Sequence, residues 1–412
     1  MKLILAEETG RAAADVNGDE VVDARDVALR SASASTGATV EGGNLLGRLA
    51  WVRDQVGEEH LSYDQRGRAV WKVKRLQAPG DPEPLSFYVE NQFDSMDRLT
   101  RHVYADGTFV DYGYNTRGLL ETVGGAFTEV NYNPAGQNLT IALANGVTSQ
   151  WQYDNRLRLE RLTSTRQGDG LILQDRGYGY DEVSNITGIT DHRSATHRTS
   201  ILTELQPTAP LSSADLSDTR DFHYDSLYRL TRAAGPAHGE HGYRFDPIGN
   251  MLISSFEGDS RFSAPDTGGM SYGQNGYGPH VLTGLAATDG LRNFAYDSNG
   301  NLTGDGRGAT MIWDPKDRLI GAAEDGVTHS HLYDYASQRR IHTQTKDGKT
   351  SRTYYIDDVS EFRDGRLVKY IYVGSEKVAR SDFSGTSGSA IAPDRFYLHN
   401  HLGSTTVALD PD

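Results

Sequence analysis

A large apolar ring followed at once by a short polar side chain recurs along this chain: Tyr63-Asp64, Phe93-Asp94, Tyr114-Asn115, Tyr132-Asn133, Tyr153-Asp154, Tyr180-Asp181, Tyr224-Asp225, Phe245-Asp246, Tyr296-Asp297, Trp313-Asp314 and Tyr333-Asp334. The pair alone is weak evidence, because chance supplies several. The residues just after each pair are patterned. A Gly or polar residue comes first, then commonly Arg or Asn and an apolar residue, as in Tyr296-Asp297-Ser298-Asn299-Gly300-Asn301-Leu302-Thr303, Phe245-Asp246-Pro247-Ile248-Gly249-Asn250-Met251 and Trp313-Asp314-Pro315-Lys316-Asp317-Arg318-Leu319. Several intervals are near twenty residues, among them 93 to 114, 132 to 153, 224 to 245 and 313 to 333.

Each unit predicts strand, turn, strand. The aromatic ends one strand with its ring toward the interior, and Asp forms an Asx-turn with the backbone two residues on. Gly or Asn supplies the positive φ of the tight turn, and Leu-Thr or Leu-Ile starts the return strand. Ala105-Asp106-Gly107-Thr108 and Lys346-Asp347-Gly348-Lys349 make opposite turns. Stacked hairpins cover one another's edges, so the expected fold class is all-β, a curling antiparallel β-hairpin array. Asp191 to Asp221 and Ser254 to Gly278 break the period and read as long loops or disordered insertions, the places where a partner would touch.

Length alone, 412 residues, allows two or three domains of roughly 100–200 residues or one repeat array. Composition favours the array. The 45 glycines and 22 tyrosines are the turn and the ring of one repeat, and low proline excludes collagen and low-complexity chains. A formal net charge of −15 repels phosphate backbones, so no nucleic-acid partner is expected. Absent cysteine removes disulfide scaffolds, thiol catalysis and Cys-based zinc sites. The N-terminal apolar run, Leu3 to Ala6, is too short for a signal h-region or a membrane span.

Asp15-Val16-Asn17-Gly18-Asp19-Glu20-Val21-Val22-Asp23-Ala24-Arg25-Asp26 places side-chain oxygens at positions 1, 3, 5, 9 and 12 of a twelve-residue loop, the spacing that wraps a hard cation. The candidate Ca2+ ligands are Asp15, Asn17, Asp19, the Val21 carbonyl, Asp23 and Asp26. Ala24 to Arg30 continues as a short helix. The loop resembles the calcium-binding half-repeat of dockerins and is EF-hand-like. Glu20 stands where the sharp turn usually has glycine, and Asp26 where an EF-hand has a bidentate Glu. A complete dockerin has two such loops in tandem, so cohesin docking is not expected. Residues 31–47 read as a flexible linker.

From Arg48 to the C-terminus the chain resembles the YD-repeat, or RHS, proteins, whose relatives include the shell of insecticidal toxin complexes and the teneurin ectodomain. Pro279-His280-Val281-Leu282-Thr283, then Phe294-Ala295-Tyr296-Asp297-Ser298-Asn299-Gly300-Asn301-Leu302-Thr303 and Trp313 to Leu319, are similar to the family's core sequence. Phe396-Tyr397-Leu398-His399-Asn400-His401-Leu402-Gly403-Ser404-Thr405 is similar to its Y-Y-x-x-D-H-L-G-S-x block, with Asn400 in place of Asp. The resemblance implies a fold that in relatives winds into a hollow β-shell around a C-terminal effector, or serves as an extracellular adhesive scaffold, without chemistry of its own; the degenerate units of this chain are expected to form a partial shell, too short to close. It divides the chain into a half-module at 1–30, the linker, degenerate repeats at 48–278 with insertions near 191–221 and 254–278, and an RHS-repeat-associated core at 279–412. In toxin-bearing relatives the core ends in a D-P-x-G-type self-cleavage segment that frees the effector cargo; this sequence stops at Asp410-Pro411-Asp412, before such a segment, and contains neither it nor a cargo domain. Phe245-Asp246-Pro247-Ile248-Gly249 shares letters with that segment but sits in an ordinary repeat.

Other candidate chemistry has plainer explanations. His399 and His401 would share a strand face and could hold a metal, but they belong to the core block. His238 and His241 fall in a glycine-rich loop without a third ligand. Most aspartates follow an aromatic at a turn, where capping accounts for them without a glycosidase pair. The expected function is a non-enzymatic structural shell fragment of a secreted or surface toxin-delivery or adhesion system, outside the cell, with one calcium loop. The alternatives are an adhesin that binds a cell-surface glycan or protein through exposed aromatics, and a β-solenoid polysaccharide enzyme, which requires carboxylates clustered on one sheet face.

Overall fold

A computed structural model describes residues 2–5, 43–205, 212–237, 239–257, 269–287, 290–382 and 386–411. The candidate calcium ligands Asp15, Asn17, Asp19, Val21, Asp23 and Asp26, and the helix expected after them, lie outside the described residues. The chain forms two compact units, residues 1–130 with 326–412, and residues 131–325. Both are built from antiparallel strands.

In the first unit one run of neighbouring strands passes through Leu49–Asp54, Gly57–Tyr63, Ala69–Leu76, Leu85–Phe93, Leu99–Val103, Phe109–Tyr114 and Leu120–Val123. The apolar run near the N-terminus contributes a strand, Lys2–Leu5, paired with Leu49–Asp54. A second run passes through Val327–Tyr333, Arg339–Lys346, Lys349–Tyr355, Ser360–Arg363, Arg366–Val373, Glu376–Ser381, Arg395–His399 and Thr405–Leu409. The runs meet in the core of this unit. Phe87 and Phe362 pack with ring centroids 5.7 Å apart, and the fully buried Tyr104 donates its hydroxyl to the Tyr370 carbonyl at 2.9 Å. Backbone joins them too, with Ile391 N–H donating to the Phe109 carbonyl at 2.7 Å.

The second unit continues hairpin by hairpin from Asn138–Leu143 to Met251–Glu257, then through a three-stranded sheet and the short strands Ala295–Tyr296 to Leu319–Glu324. Leu162, Tyr178 and Ile189 form a small core against Trp151, Leu159, Tyr180, Ile186 and Phe222. Within the stretch 191–221, expected as a loop, the chain forms an α-helix, Ala195–Leu205. Its anchor is ionic. Arg193 Nη2 lies 2.9 Å from the fully buried Asp191 carboxylate, which also accepts the Asp218 amide at 3.1 Å. A sequence scan for apolar periodicity has no access to such an anchor, because the helix has almost no apolar face of its own. Within the expected linker, the described residues 43–47 are tied to the first repeat by Gly43 N–H to Ser62 Oγ at 2.8 Å and Asn44 Nδ2 to the Tyr63 carbonyl at 2.8 Å.

Candidate functional site

The ring–carboxylate turns share one geometry. In the first, Asp64 N–H donates to the Arg68 carbonyl and Gly67 N–H to the Asp64 carbonyl, both at 3.0 Å. Asp64 Oδ1 accepts the amides of Arg66 at 2.9 Å and Arg68 at 3.0 Å, and Oδ2 accepts Arg68 Nε at 2.5 Å. The same set recurs at Asp94 with Arg98, Asp154 with Arg158, Asp225 with Arg229 and Asp314 with Arg318. Asn replaces Arg after Asp181, Asp246 and Asp297, donating Nδ2 to Oδ2 at 2.8, 2.8 and 3.0 Å. One carboxylate therefore satisfies two turn amides and one side chain. Backbone hydrogen bonds from Arg98, Arg158 and Arg229 are the main reason Asp94, Asp154 and Asp225 stay below the usual carboxylate range.

Register explains the aromatic. At Tyr63, Phe93, Tyr114, Tyr153, Tyr180, Tyr224 and Phe245 the ladder shifts by one, so Tyr63 faces Ala69 and Phe93 faces Leu99. Such a bulge re-aims the side chain. The phenol then donates to the carbonyl of the residue opening an earlier return strand: Tyr63 to Leu49, Tyr114 to Leu99, Tyr153 to Asn138, Tyr180 to Leu159, Tyr224 to Ile186, Tyr272 to Met251 and Tyr296 to Leu282, at 2.6 to 3.0 Å. Trp313 does the same through Nε1 to Leu302 at 2.7 Å. In the other direction the turn arginine covers the next ring. Arg68 lies 4.9 Å from Phe93, Arg98 4.4 Å from Tyr114, Arg158 4.5 Å from Tyr180 and Arg229 4.7 Å from Phe245. Arg68 also donates to the Asp94 carbonyl at 2.8 Å. The rings are therefore half-buried rather than wholly interior, because one face must carry a guanidinium and the edge must reach a carbonyl.

The fourth turn residue adopts positive φ throughout. Glycine supplies it at Gly67, Gly118, Gly136, Gly249 and Gly300, as expected, but Leu157 (φ 62°), Ser184 (φ 77°) and Tyr228 (φ 60°) supply it as well. The hydrogen bonds around the carboxylate impose the conformation on whatever residue occupies the position.

The remaining candidates separate. Strand Arg395–His399 ends at His399, and His401 lies in the turn beyond it, so the two do not share a strand face. His399-Asn400 is itself a repeat turn, with Asn400 Oδ1 accepting the amides of Leu402 at 2.9 Å and Ser404 at 3.0 Å. His238 lies outside the described residues, and His241 sits on strand Gly239–Phe245, its ring stacked on Tyr243 at 6.2 Å. Asp246, before Pro247, is engaged by the amides of Ile248 and Asn250 at 3.0 and 2.8 Å, as in any other repeat. The repeat aspartates thus stand one per turn rather than as a cluster on one face. Among the described residues, the exposed large apolar side chains include a single aromatic, Tyr228, and no helix is long and apolar enough to cross a membrane.

The sequence reading missed the buried charges of the first unit. Lys369, 1% exposed, lies 2.6 Å from the Asp106 carboxylate and donates to Thr108 Oγ1 at 3.1 Å. Lys74 lies 3.5 Å from Glu59, in a recess also lined by Glu58, Asp334, Tyr335 and Arg340, and burial pushes its ammonium below the usual lysine range. Their strands read as ordinary polar-facing positions. Only the packing of the two runs shows that those faces are covered.

Turns of one pattern, several of them tied to the turns before and after, define a β-hairpin repeat array. No family model matches the chain, and no curated protein matches it. Solved structures match in fold. A Tc holotoxin pore of Photorhabdus luminescens carrying a TccC3 substitution is similar at a TM-score of 0.69 with 18% identity over 89% of this chain. TcdB2-TccC3-TEV is similar at 0.70 with 19% identity, and TcdB2-TccC3 without its hypervariable C-terminal region at 0.63 with 17%, each over 89% of this chain. The matched part is 20% of each of those solved chains. The chain has the RHS-type β-fold of these Tc toxin proteins.

Proposed function

We propose that the chain is a non-enzymatic segment of an RHS-type structural shell in a secreted or surface toxin system, and that the shell's cargo is a C-terminal effector. The observation that carries this reading is how the repeat uses its chemistry. The repeat aspartates bind their own turns, Arg68, Arg98, Arg158 and Arg229 cover the next ring, and tyrosines such as Tyr63, Tyr114, Tyr153 and Tyr180 reach an earlier strand, so polar groups that could act on a substrate build the wall instead. The fold shared with Tc toxin proteins supports the same role. The calcium loop at Asp15 to Asp26 completes the reading as a separate N-terminal element that binds Ca2+.

Replacing Asp94, Asp154 or Asp225 with alanine tests whether these carboxylates build the wall: each variant should lower the urea midpoint of the chain, by about 1–3 kcal/mol in stability, while three unchanged midpoints overturn the proposal. Glycan-array binding by the full chain that disappears in Tyr228→Ser would support the adhesin reading in its place.

A further inference from the structure

Four successive turns on one side of the second unit's ladder, at 154–158, 181–185, 225–229 and 246–250, carry apolar side chains that point into solvent. Leu157, Val183, Leu227, Tyr228 and Ile248 are 52–65% exposed. Turns on one side of a sheet recur every second strand, about 9–10 Å apart, so the row is roughly 30 Å long. Its members are tied to one another. Arg158 Nη1 donates to the Asp181 carbonyl at 3.3 Å, the Tyr224 hydroxyl to the Ile186 carbonyl at 2.8 Å and Arg229 Nη1 to the Asp246 carbonyl at 3.3 Å.

The turn itself does not ask for these side chains. Val183, Leu227 and Ile248 hold the third turn position and donate their amides to Asp181, Asp225 and Asp246 at 3.0, 2.9 and 3.0 Å. Arg66, Arg117, Asn299 and Lys316 make the same bond from the same position elsewhere in the array. A polar residue would serve the turn equally well, so the apolar choice at three successive tips belongs to the surface. Because those amides are already paired, the tips can be covered without stranding a donor.

We propose that this row is the contact through which two copies of the chain associate, about a two-fold axis that reverses the row. Half to two-thirds of five large side chains is about 500 Å² of surface, the size of the largest patch on a typical monomer. That is more than half of the roughly 800 Å² each partner buries in a standard interface, and a two-fold contact uses one patch on both copies. Charge selects the reversed arrangement. Turn 154–158 carries a formal +1, Arg156 and Arg158 against Asp154, and turn 246–250 carries −1 through Asp246. Reversal sets these ends opposite each other. It also sets 181–185, negative through Asp181 and Glu182, opposite 225–229, where Asp225 and Arg229 pair at 2.7 Å. No two turns of like net charge then face. A lipid surface fits the row less well. An acyl phase would have to desolvate the carboxylate at the base of each tip, whereas a protein interface leaves it at a wet rim.

The test is sedimentation equilibrium of the full chain over a wide concentration range, which should show monomer and dimer in exchange. Leu227→Ser combined with Ile248→Ser should raise the dissociation constant at least tenfold. Arg156→Glu should also raise it, since the reversed row would then oppose two negative ends. Leu291→Ser, on strand Gly290–Asn293 away from the row and 66% exposed, should leave it unchanged. Circular dichroism of each variant confirms that a loss is not unfolding. A monomer at every concentration, or a dissociation constant unmoved by the double variant, overturns the proposal. Flotation of a monomeric chain with phosphatidylcholine vesicles, lost in the double variant, would overturn it in favour of a membrane contact.

Discussion

The Tyr180 hydroxyl donates to the main-chain carbonyl of Leu159 at 2.7 Å, beyond the last regular pair of the ladder, Arg161 with Gly177. A ring at the end of one strand thereby closes the open start of its neighbour. Arg158, from the turn just before Leu159, covers the same ring at 4.5 Å. A carboxylate-held turn, a guanidinium and a phenol thus form one connected unit. That connection explains why the sequence repeats a ring, an acid and a base rather than a run of apolar residues.

Tyr180→Phe should destabilise the chain by about 1 kcal/mol, the net worth of one hydrogen bond whose acceptor is left partly buried. Tyr180→Leu should cost more, because it also removes the ring under Arg158. Urea unfolding monitored by circular dichroism separates them. Phe93 and Phe245 hold the same position without a hydroxyl, so the phenylalanine variant should still fold.

Leu157 occupies a left-handed position with φ 62° and is 52% exposed. Its backbone conformation costs roughly 1–2 kcal/mol for an L-residue, whereas glycine adopts it freely at an entropic cost of about 0.5–1 kcal/mol. Leu157→Gly should therefore raise the denaturation midpoint, stabilising the fold by the difference, about 0.5–1 kcal/mol. Gly249→Ala, at φ 96° in open space, should lower it.

Much of this unit was legible in the sequence. The Asx-turn, the ring and the return-strand leucine follow from residue types at fixed offsets, and resemblance then identified the array. Two relations were not legible. The reach of Tyr180 to Leu159 depends on a one-residue register shift that no dipeptide encodes. Lys369 finds Asp106 across 263 residues, because two strand runs distant in the chain pack together. His399-Asn400 was legible in principle, since Gly403 stands at the turn's fourth position, but histidine in the aromatic's place disguised it.

Lys369 and Asp106 form an ion pair whose side chains are 1% and 15% exposed. Lys369→Met leaves a charged carboxylate in the core and should cost about 3–5 kcal/mol. Combining it with Asp106→Asn should recover part of that loss, because the uncompensated charge disappears. A double-mutant cycle by urea unfolding measures the coupling, and strict additivity would sink the pairing argument.

Glu58 gives a pH signature. The hydrogen bond with His60 is the largest influence on it; burial works the other way, and Arg53 and Arg75 help bring it down to about 2. Its folded-state value is depressed, so the unfolded chain binds the proton more tightly. The stabilisation is present above the unfolded value near 4.3 and is lost as pH falls toward 2. With Arg53 exposed and screened, the effect is of order 1–2 kcal/mol. Glu58→Gln should flatten the stability profile across that acid window and leave its slope above pH 5 unchanged.

The calcium binding proposed for the N-terminal loop is testable apart from the array. Position 12 of the loop is Asp26, whose shorter side chain reaches less far than a bidentate glutamate, and Glu20 replaces the glycine that eases the turn at position 6. Both changes weaken a site without removing its charge, since Asp15, Asp19, Asp23 and Asp26 remain. The affinity should therefore fall in the range of extracellular modules, roughly 10⁻⁴–10⁻³ M, rather than of cytosolic buffers. Isothermal titration of the full chain should show one saturable Ca2+ site that Asp15→Ala abolishes. Asp26→Glu should tighten it and Glu20→Gly should tighten it further. The urea midpoint of the β-array should stay the same with and without Ca2+, because the described repeat turns are held by their own aspartate or asparagine side chains. A calcium-dependent midpoint that persists in Asp15→Ala would place the ion elsewhere in the chain.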